Sequence, residues 1–318
     1  MAKLIMTVEE MQDRSKWLEM RKAGIGGSEA AAIVGLNPWK SAFQLWMEKT
    51  GQVEPEDLSD NEYVYWGNVL EQAVADRFCE LTGKKVQRRG MLQDDEYPYM
   101  LASVDRMVVG ENAGLECKTT NAFNDKAWAD DELPDSYYIQ CQWYMMVTGC
   151  EKWYIAVLIG GNKFVWKEVP RNASDIEALR KSAVDFWEKV TTGTMPPVDG
   201  SSDCSSALAE KFKGQKDLEI ELPIAAKDCI ERLRELKETI DSLKEQQKLS
   251  ENELKVMLGD AEIGIIGDEQ ITWKIQSGRT TIDSKALKAD LPEIYKKYTK
   301  VGEPTRALKI PKVKKGAC

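Results

Sequence analysis

The chain has 318 residues, a net charge of −9, seven cysteines and no histidine. The missing histidine excludes Ser-His-Asp and Cys-His catalysis, His-ligated zinc and histidine general-base nucleases, leaving carboxylate and lysine chemistry. The cysteines, at 79, 117, 141, 150, 204, 229 and 318, include no Cys-x-x-Cys pair, which argues against a disulfide framework, a zinc ribbon and a cysteine-ligated iron–sulfur cluster.

The length favours two domains. No apolar run nears the roughly 18 residues of a membrane span, and the apolar part of the first seven residues is too short for a signal peptide, so a cytoplasmic protein with no membrane partner is expected. In chain order, Gly24-Ile25-Gly26-Gly27 reads as a tight turn opening a helix from Ser28 to Val34. Gly24-x-Gly26 lacks the third glycine of a dinucleotide fingerprint and follows no clear strand, which rules out a Rossmann reading. The run Gly67 to Leu81 is helical by period and stopped at Gly83, with Leu70, Val74, Phe78 and Leu81 as its core face and Glu71 off that stripe. Strands follow near 85–92, 100–109 and 114–120, then a helix over 136–148 and a closing hairpin over 153–169. Together these predict an α/β fold with the central carboxylates on the sheet.

Gly, Pro and Ser between 192 and 202 interrupt both periodicities and mark a boundary. The expected division is a first domain over 1–198, a linker over 199–216 and a C-terminal region over 217–318. In the latter, Ile230, Leu233, Leu236, Ile240 and Leu243 recur at helical spacing. With too few clean heptads for an evident coiled coil, a helical hairpin packing within its own domain is favoured. A β-hairpin is predicted over 263–275. Lys285 to Cys318 carries 10 basic against 3 acidic residues, a local tail able to contact phosphate despite the overall negative charge.

The chemistry concentrates in Ser103-Val104-Asp105 and Glu116-Cys117-Lys118. On a strand Glu116 and Lys118 share one face and Leu115 and Cys117 the other, which is read as the buried side. A turn at Gly110-Glu111-Asn112 would fold the two strands into a hairpin and bring Asp105 beside Glu116. Two carboxylates and an amine suit a metal-dependent phosphodiesterase, in which hard oxygen ligands hold divalent ions that activate water. Taken alone, the pattern is equally a chance arrangement of solvated charges on a hairpin.

Further motifs accompany it in order: Trp17-Leu18-Glu19-Met20-Arg21, Gly24 to Ala30, Trp66-Gly67-x-x-x-Glu71 and Gln140-x-x-x-Tyr144. Over roughly residues 14–170 the chain thereby resembles the phage lambda-type exonucleases, the YqaJ-like viral recombinase branch of the PD-(D/E)xK nucleases. The resemblance implies a restriction-endonuclease-like core, a central mixed sheet flanked by helices, extended here by a C-terminal helical and β-hairpin region. It also implies two Mg²⁺ ions per site, with Mn²⁺ a possible substitute. Asp105 would bridge the ions, Glu116 and the Cys117 carbonyl would complete one, and Glu71 would reach the other.

Lys118 would position or deprotonate water, its pKa pushed down by the cations; a salt bridge to Glu116 is the alternative. Gln140 would hold Lys118 or the scissile phosphate, in preference to Gln142 on another face, and Tyr144 would share the Gln140 face. Arg21, Ser28 and Ser103 fall where the family cradles a terminal 5′-phosphate, and Gly24, Gly26 and Gly27 would let backbone approach it.

The implied activity is 5′-to-3′ exonucleolysis of linear double-stranded DNA, releasing 5′-mononucleotides and leaving 3′ tails for annealing-type recombination. A ring-shaped homotrimer and a single-strand annealing protein are the implied partners. Residues beyond about 205 match only loosely. The alternatives are a PD-(D/E)xK endonuclease of restriction or junction-resolving type, which has no need of Arg21, and a non-catalytic DNA-binding recombination mediator.

Overall fold

The computed structural model describes residues 2–130, 132–302 and 305–310. They fall into two compact units, Met1–Phe212 and Lys213–Cys318. The first contains β1 (Lys3–Met6), α1 (Arg14–Lys22), α2 (Gly27–Ile33), α3 (Ala42–Lys49), α4 (Glu62–Thr82), β2 (Val86–Gln87), β3 (Met91–Gln93), β4 (Leu101–Ser103), β5 (Arg106–Val108), β6 (Ala113–Thr120), α5 (Asp135–Thr148), β7 (Lys152–Ile159), β8 (Lys163–Pro170), α6 (Ala173–Thr192) and α7 (Ser202–Lys211).

A five-stranded mixed sheet runs in the order β2-β5-β6-β7-β8, and a smaller antiparallel sheet in the order β1-β3-β4. Strands β6 and β7 are parallel, from Ala113 opposite Lys152 to Thr120 opposite Ile159. A parallel pair needs a long crossover, and α5 supplies it. On one face of the sheet, Val74, Ala75 and Phe78 of α4 pack on Val108, Ala113, Leu115, Tyr154 and Ala156. On the other, Trp143 and Met146 of α5 join Trp153, Ile155 and Val157 in the main core.

Covering on both faces corrects the expectation that only the Leu115 and Cys117 side of β6 is buried. The alternation is as read, but Glu116 is 3% exposed while Cys117 is half-buried. Central parallel strands are covered on both sides, so face polarity does not report burial there.

The predicted strands over 85–92 and 100–109 each divide between the two sheets. Val86 pairs with Val108 and Met91 with Ser103. The second break falls at Val104-Asp105, where the Asp105 carboxylate accepts the Cys117 N–H at 2.8 Å. Beyond it the expected hairpin forms, with Arg106 opposite Leu115. Asp105 is therefore held at the junction of two sheets and tied to β6.

Helix α4 starts at Glu62 rather than Gly67, because Asn61 caps it by accepting the Tyr63 and Val64 N–H groups. Tyr63, Tyr65 and Trp66 in its first turns are exposed and carry no apolar period. Its buried stripe runs through Val74, Ala75 and Phe78, leaving Leu81, expected in the core, 51% exposed. Glu71 lies on the sheet-facing side of the helix, where it meets Arg106 of β5. Within 199–216, the span read as a linker, α7 buries Cys204 and Ala207. Ser201 caps that helix by accepting the Cys204 N–H at 3.0 Å.

The second unit contains α8 (Ala226–Leu258), β9 (Ile263–Ile266), β10 (Glu269–Thr272), α9 (Ser284–Asp290) and α10 (Pro292–Tyr298). The predicted β-hairpin is present, with Ile266 opposite Glu269. In place of the expected helical hairpin there is one uninterrupted helix of 33 residues, none of them buried. No breaker interrupts 226–258, so the helix runs through. Of the basic tail, residues 303–304 and 311–318 lie outside the described residues.

One ion cluster fastens α1, α2 and α3 together. Glu29, 6% exposed, accepts Arg21 at 2.8 Å, Lys49 at 2.9 Å and the Gly26 N–H at 2.9 Å. Lys49 also donates to the Arg21 carbonyl at 2.6 Å. Burial alone would raise the Glu29 carboxyl, but the Arg21 and Lys49 charges outweigh it and bring its pKa down to about 2. Burial also pushes the Lys49 amine below its ordinary value, against the pull of Glu29, so the cluster contributes less than Glu29 alone suggests.

A carboxyl depressed by folding stabilises the protein above its unfolded value of 4.5, and that contribution is lost as pH falls toward about 2. Glu29→Gln, which leaves Lys49 buried without a carboxylate, is expected to cost about 3 kcal/mol at neutral pH by urea unfolding. The difference from wild type should close between pH 4.5 and about 2. A gap that stays constant over that range would refute the ionised cluster.

Candidate active site

Strand β6 presents the Glu116 carboxylate and the Lys118 amine beneath α5. Glu116 Oε1 accepts Lys118 Nζ at 2.6 Å and Gln140 Nε2 at 2.7 Å. Glu116 Oε2 is buried and has no hydrogen-bond partner among the described residues. A buried carboxylate oxygen left unpaired is costly and calls for a positive or donating group. The relay continues as Gln140 donates to the Tyr144 hydroxyl at 2.8 Å and Tyr144 donates to the Ser103 carbonyl at 3.0 Å. Gln142 points elsewhere, donating to the Pro170 carbonyl at 2.9 Å and accepting the Asn172 N–H at 3.0 Å.

Burial, with the Glu116 charge next, raises the Asp105 carboxyl well above its usual range, against the pull of Lys118. For Lys118 burial works downward, but the charges of Glu116 and Asp105 prevail and hold its amine above the ordinary value. The arrangement is thus the salt bridge that the sequence left as the alternative, and Lys118 also lies 5.0 Å from the Tyr137 ring centroid. Burial and then the Asp105 charge push the Cys117 thiol up.

Arg21, Ser28, Glu71, Ser103, Asp105, Glu116, Gln140 and Tyr144 all line one cleft of about 560 Å³. Lys118 is tied to it through Glu116, and Cys117 through its N–H to Asp105. At one end Arg21 donates to Ser28 Oγ at 3.3 Å, while its guanidinium carbon lies 4.8 Å from the Trp17 ring centroid. Two of the glycines beside it are required by close neighbours. A Cβ on Gly27 would come within 2.5 Å of the Tyr144 ring, and one on Gly24 within 2.5 Å of the Tyr99 carbonyl.

Glu71 lines the same cleft and is paired to arginines through one of its two oxygens. Its Oε1 accepts Arg106 Nη1 at 2.5 Å and lies 3.8 Å from Arg88. Arg106, 3% exposed, also donates to the Asp105 carbonyl at 2.7 Å and to Gln72 at 3.0 Å. Sequence reasoning passed over Arg106, Arg88, Glu29 and Lys49. A charge inside the apolar run 100–109 was the available signal for Arg106. Glu29 stands three residues after Gly26, the spacing of a helix-opening carboxylate. Nothing local marks Lys49.

Among the described residues no three Cys, Asp or Glu side chains converge as a metal cage. Mg²⁺, however, is held by one or two carboxylates and keeps several waters. Asp105 and the unpartnered oxygen of Glu116, with the Cys117 carbonyl nearby on the strand, fit that demand for one ion. Glu71 could serve a second through Oε2, since both arginine contacts fall on Oε1.

A YqaJ-like viral recombinase domain matches residues 16–151. The uncharacterized protein YqaJ of Bacillus subtilis (strain 168) is 45% identical over 302 residues, covering 93% of this chain and 94% of that protein. Among solved structures, an alkaline exonuclease (LHK-Exo) from Laribacter hongkongensis is similar with a TM-score of 0.50 at 16% identity, covering 57% of this chain and 94% of its own. The same protein in complex with dAMP gives 0.51 at 19% identity, with the same coverage. These last two bear on the fold. With a relative aligned over nearly its full length and the family domain spanning the motifs from Trp17 to Tyr144, the chain belongs to the YqaJ-like viral recombinase family, on a restriction-endonuclease-like α/β core.

Proposed function

We propose that the protein is a Mg²⁺-dependent 5′-to-3′ exonuclease of linear duplex DNA that starts at 5′-phosphorylated ends and leaves 3′ single-stranded tails for annealing-type recombination. One observation carries the reading: a single cleft joins a carboxylate pair, of which Glu116 is buried with an unpaired oxygen, to a preset arginine beside a serine hydroxyl. A cation site and a phosphate site in one cleft define a scissile bond at a fixed distance from a chain end.

Asp105, Glu116 and the Cys117 carbonyl would hold the first Mg²⁺, and Glu71 a second through the oxygen that Arg106 does not hold. Bound there, divalent ions polarise the phosphoryl oxygen and acidify water. The chain's own groups do the positioning. Gln140 fixes the Glu116 carboxylate and the Tyr144 hydroxyl, so those groups stay oriented when DNA enters. Lys118 stands by the carboxylate pair as an ammonium, able to orient a water or the scissile phosphate and to donate a proton.

Arg21 offers a planar fork, and Ser28 and Ser103 short hydroxyl donors, to a terminal phosphate. Glu29 and Lys49 hold the Arg21 segment in place before substrate arrives, which lowers the ordering cost of binding. Release of 5′-mononucleotides follows from cutting next to the anchored end.

Glu116→Ala and Lys118→Ala are each expected to lower cleavage on the order of 10²- to 10⁴-fold while the folded circular-dichroism spectrum is kept. Cleavage surviving either change at the wild-type rate would sink the site assignment. Arg21→Ala should reduce initiation on 5′-phosphate duplexes by about ten- to a hundredfold, with little change on 5′-hydroxyl duplexes. An unchanged preference for the phosphorylated end refutes the anchoring role, and cutting of covalently closed circles by wild type would replace an exonuclease with an endonuclease.

A further inference from the structure

Helix α8 leaves an apolar stripe uncovered, with Leu236, Ile240, Leu243, Leu254 and Met257 between 41% and 80% exposed. The stripe is more regular than its first half suggests. From Leu233 to Met257 the spacing alternates three and four residues without a break, and only Gln247 and Ser250 among those positions are polar. This is the repeat of a coiled-coil seam. A lone helix in water gains little from propensity alone, and helices in proteins are stabilised mainly by covering an apolar face.

The charge of α8 bears on what covers it. Residues 226–258 carry seven basic and eight acidic side chains; Lys237, Lys244, Lys248 and Lys255 share one flank with Asp241 and Glu251, but the exposed seam beside them is apolar, and a nucleic-acid backbone does not cover apolar side chains. Another helix fits better, and α8 itself is complementary to one in a single orientation. Parallel pairing in register sets Arg232 against the partner's Lys237 and joins no opposite charges across the seam. Antiparallel pairing with Gln247 opposite the partner's Ser250 sets Leu243 on the partner's Leu254 and Ile240 on the partner's Met257. Apolar residues meet apolar ones, and the two polar positions meet each other.

That same register places Lys244 beside the partner's Glu251, twice by symmetry, with no like-charge pair along the seam. In the single chain Glu251 is met on its own helix by Gln247 at 3.0 Å, Lys248 at 3.2 Å and Lys255 at 3.9 Å. We propose that α8 is a self-association element that pairs antiparallel with α8 of a second copy over residues 240–257. The pairing is independent of the nuclease reading. Whatever assembly the first unit forms, it doubles the number of chains.

The test is the mass of the full-length protein by light scattering at micromolar concentration, with circular dichroism as the check on folding. Leu243→Asp combined with Leu254→Asp is expected to halve the mass. Lys244→Glu or Glu251→Lys alone should weaken association by about three- to tenfold through like-charge contacts, and the two together should restore it. A mass that does not halve in the Asp variant, including a chain monomeric throughout, overturns the pairing. A double reversal no tighter than the single ones overturns the antiparallel register.

Discussion

The site depends on one buried carboxylate. Glu116 sits on a central strand, 3% exposed, with one oxygen shared by Lys118 and Gln140 and the other without a partner. A carboxylate in such a place is tolerable only if positive charge compensates it, and one lysine already bonded to the first oxygen leaves the second uncompensated. Burial first, and the Glu116 charge next, raise the Asp105 carboxyl beside it. Within the proposed reading a divalent cation relieves both.

The fold delivers this arrangement through topology. A parallel β6–β7 pair forces a crossover, and the crossover helix α5 lays Gln140 and Tyr144 over the face that carries Glu116. Strand β5 begins just after Asp105, which leaves the ladder to bond Cys117 through its side chain. On the opposite side of the cleft, Arg21 is held by a carboxylate that is itself held by a second amine, Lys49. Glu71 is the divided member, paired with Arg106 through one oxygen. Both arginine contacts fall on Oε1, so Oε2 is the oxygen a second ion would use.

Local pattern made much of this legible. Alternation put Glu116 and Lys118 on one face, the Gly110 turn brought Asp105 to β6, and a spacing of four put Gln140 and Tyr144 on one helix face. What stayed hidden depends on chain far away. The sequence could not say that both faces of β6 would be covered, because that follows from the α4 and α5 layers rather than from the strand. Lys49 joins Glu29 from twenty residues away, and Arg106 finds Glu71 from thirty-five. The glycines near Arg21 looked like a phosphate cradle, yet the Tyr144 ring and the Tyr99 carbonyl explain two of them. The α8 stripe was cut short because Gln247 and Ser250 broke the apolar count while keeping the spacing.

The most direct test of the central claim is calorimetric titration of Mg²⁺, and of Mn²⁺ in parallel, into wild-type protein and Glu116→Gln without DNA. The account predicts saturable binding to wild type and its loss, or weakening by on the order of a hundredfold, in Glu116→Gln, which keeps the shape of the side chain and removes its charge. Equal binding by the two proteins would contradict it, since the buried oxygen of Glu116 would then have no cation to answer it.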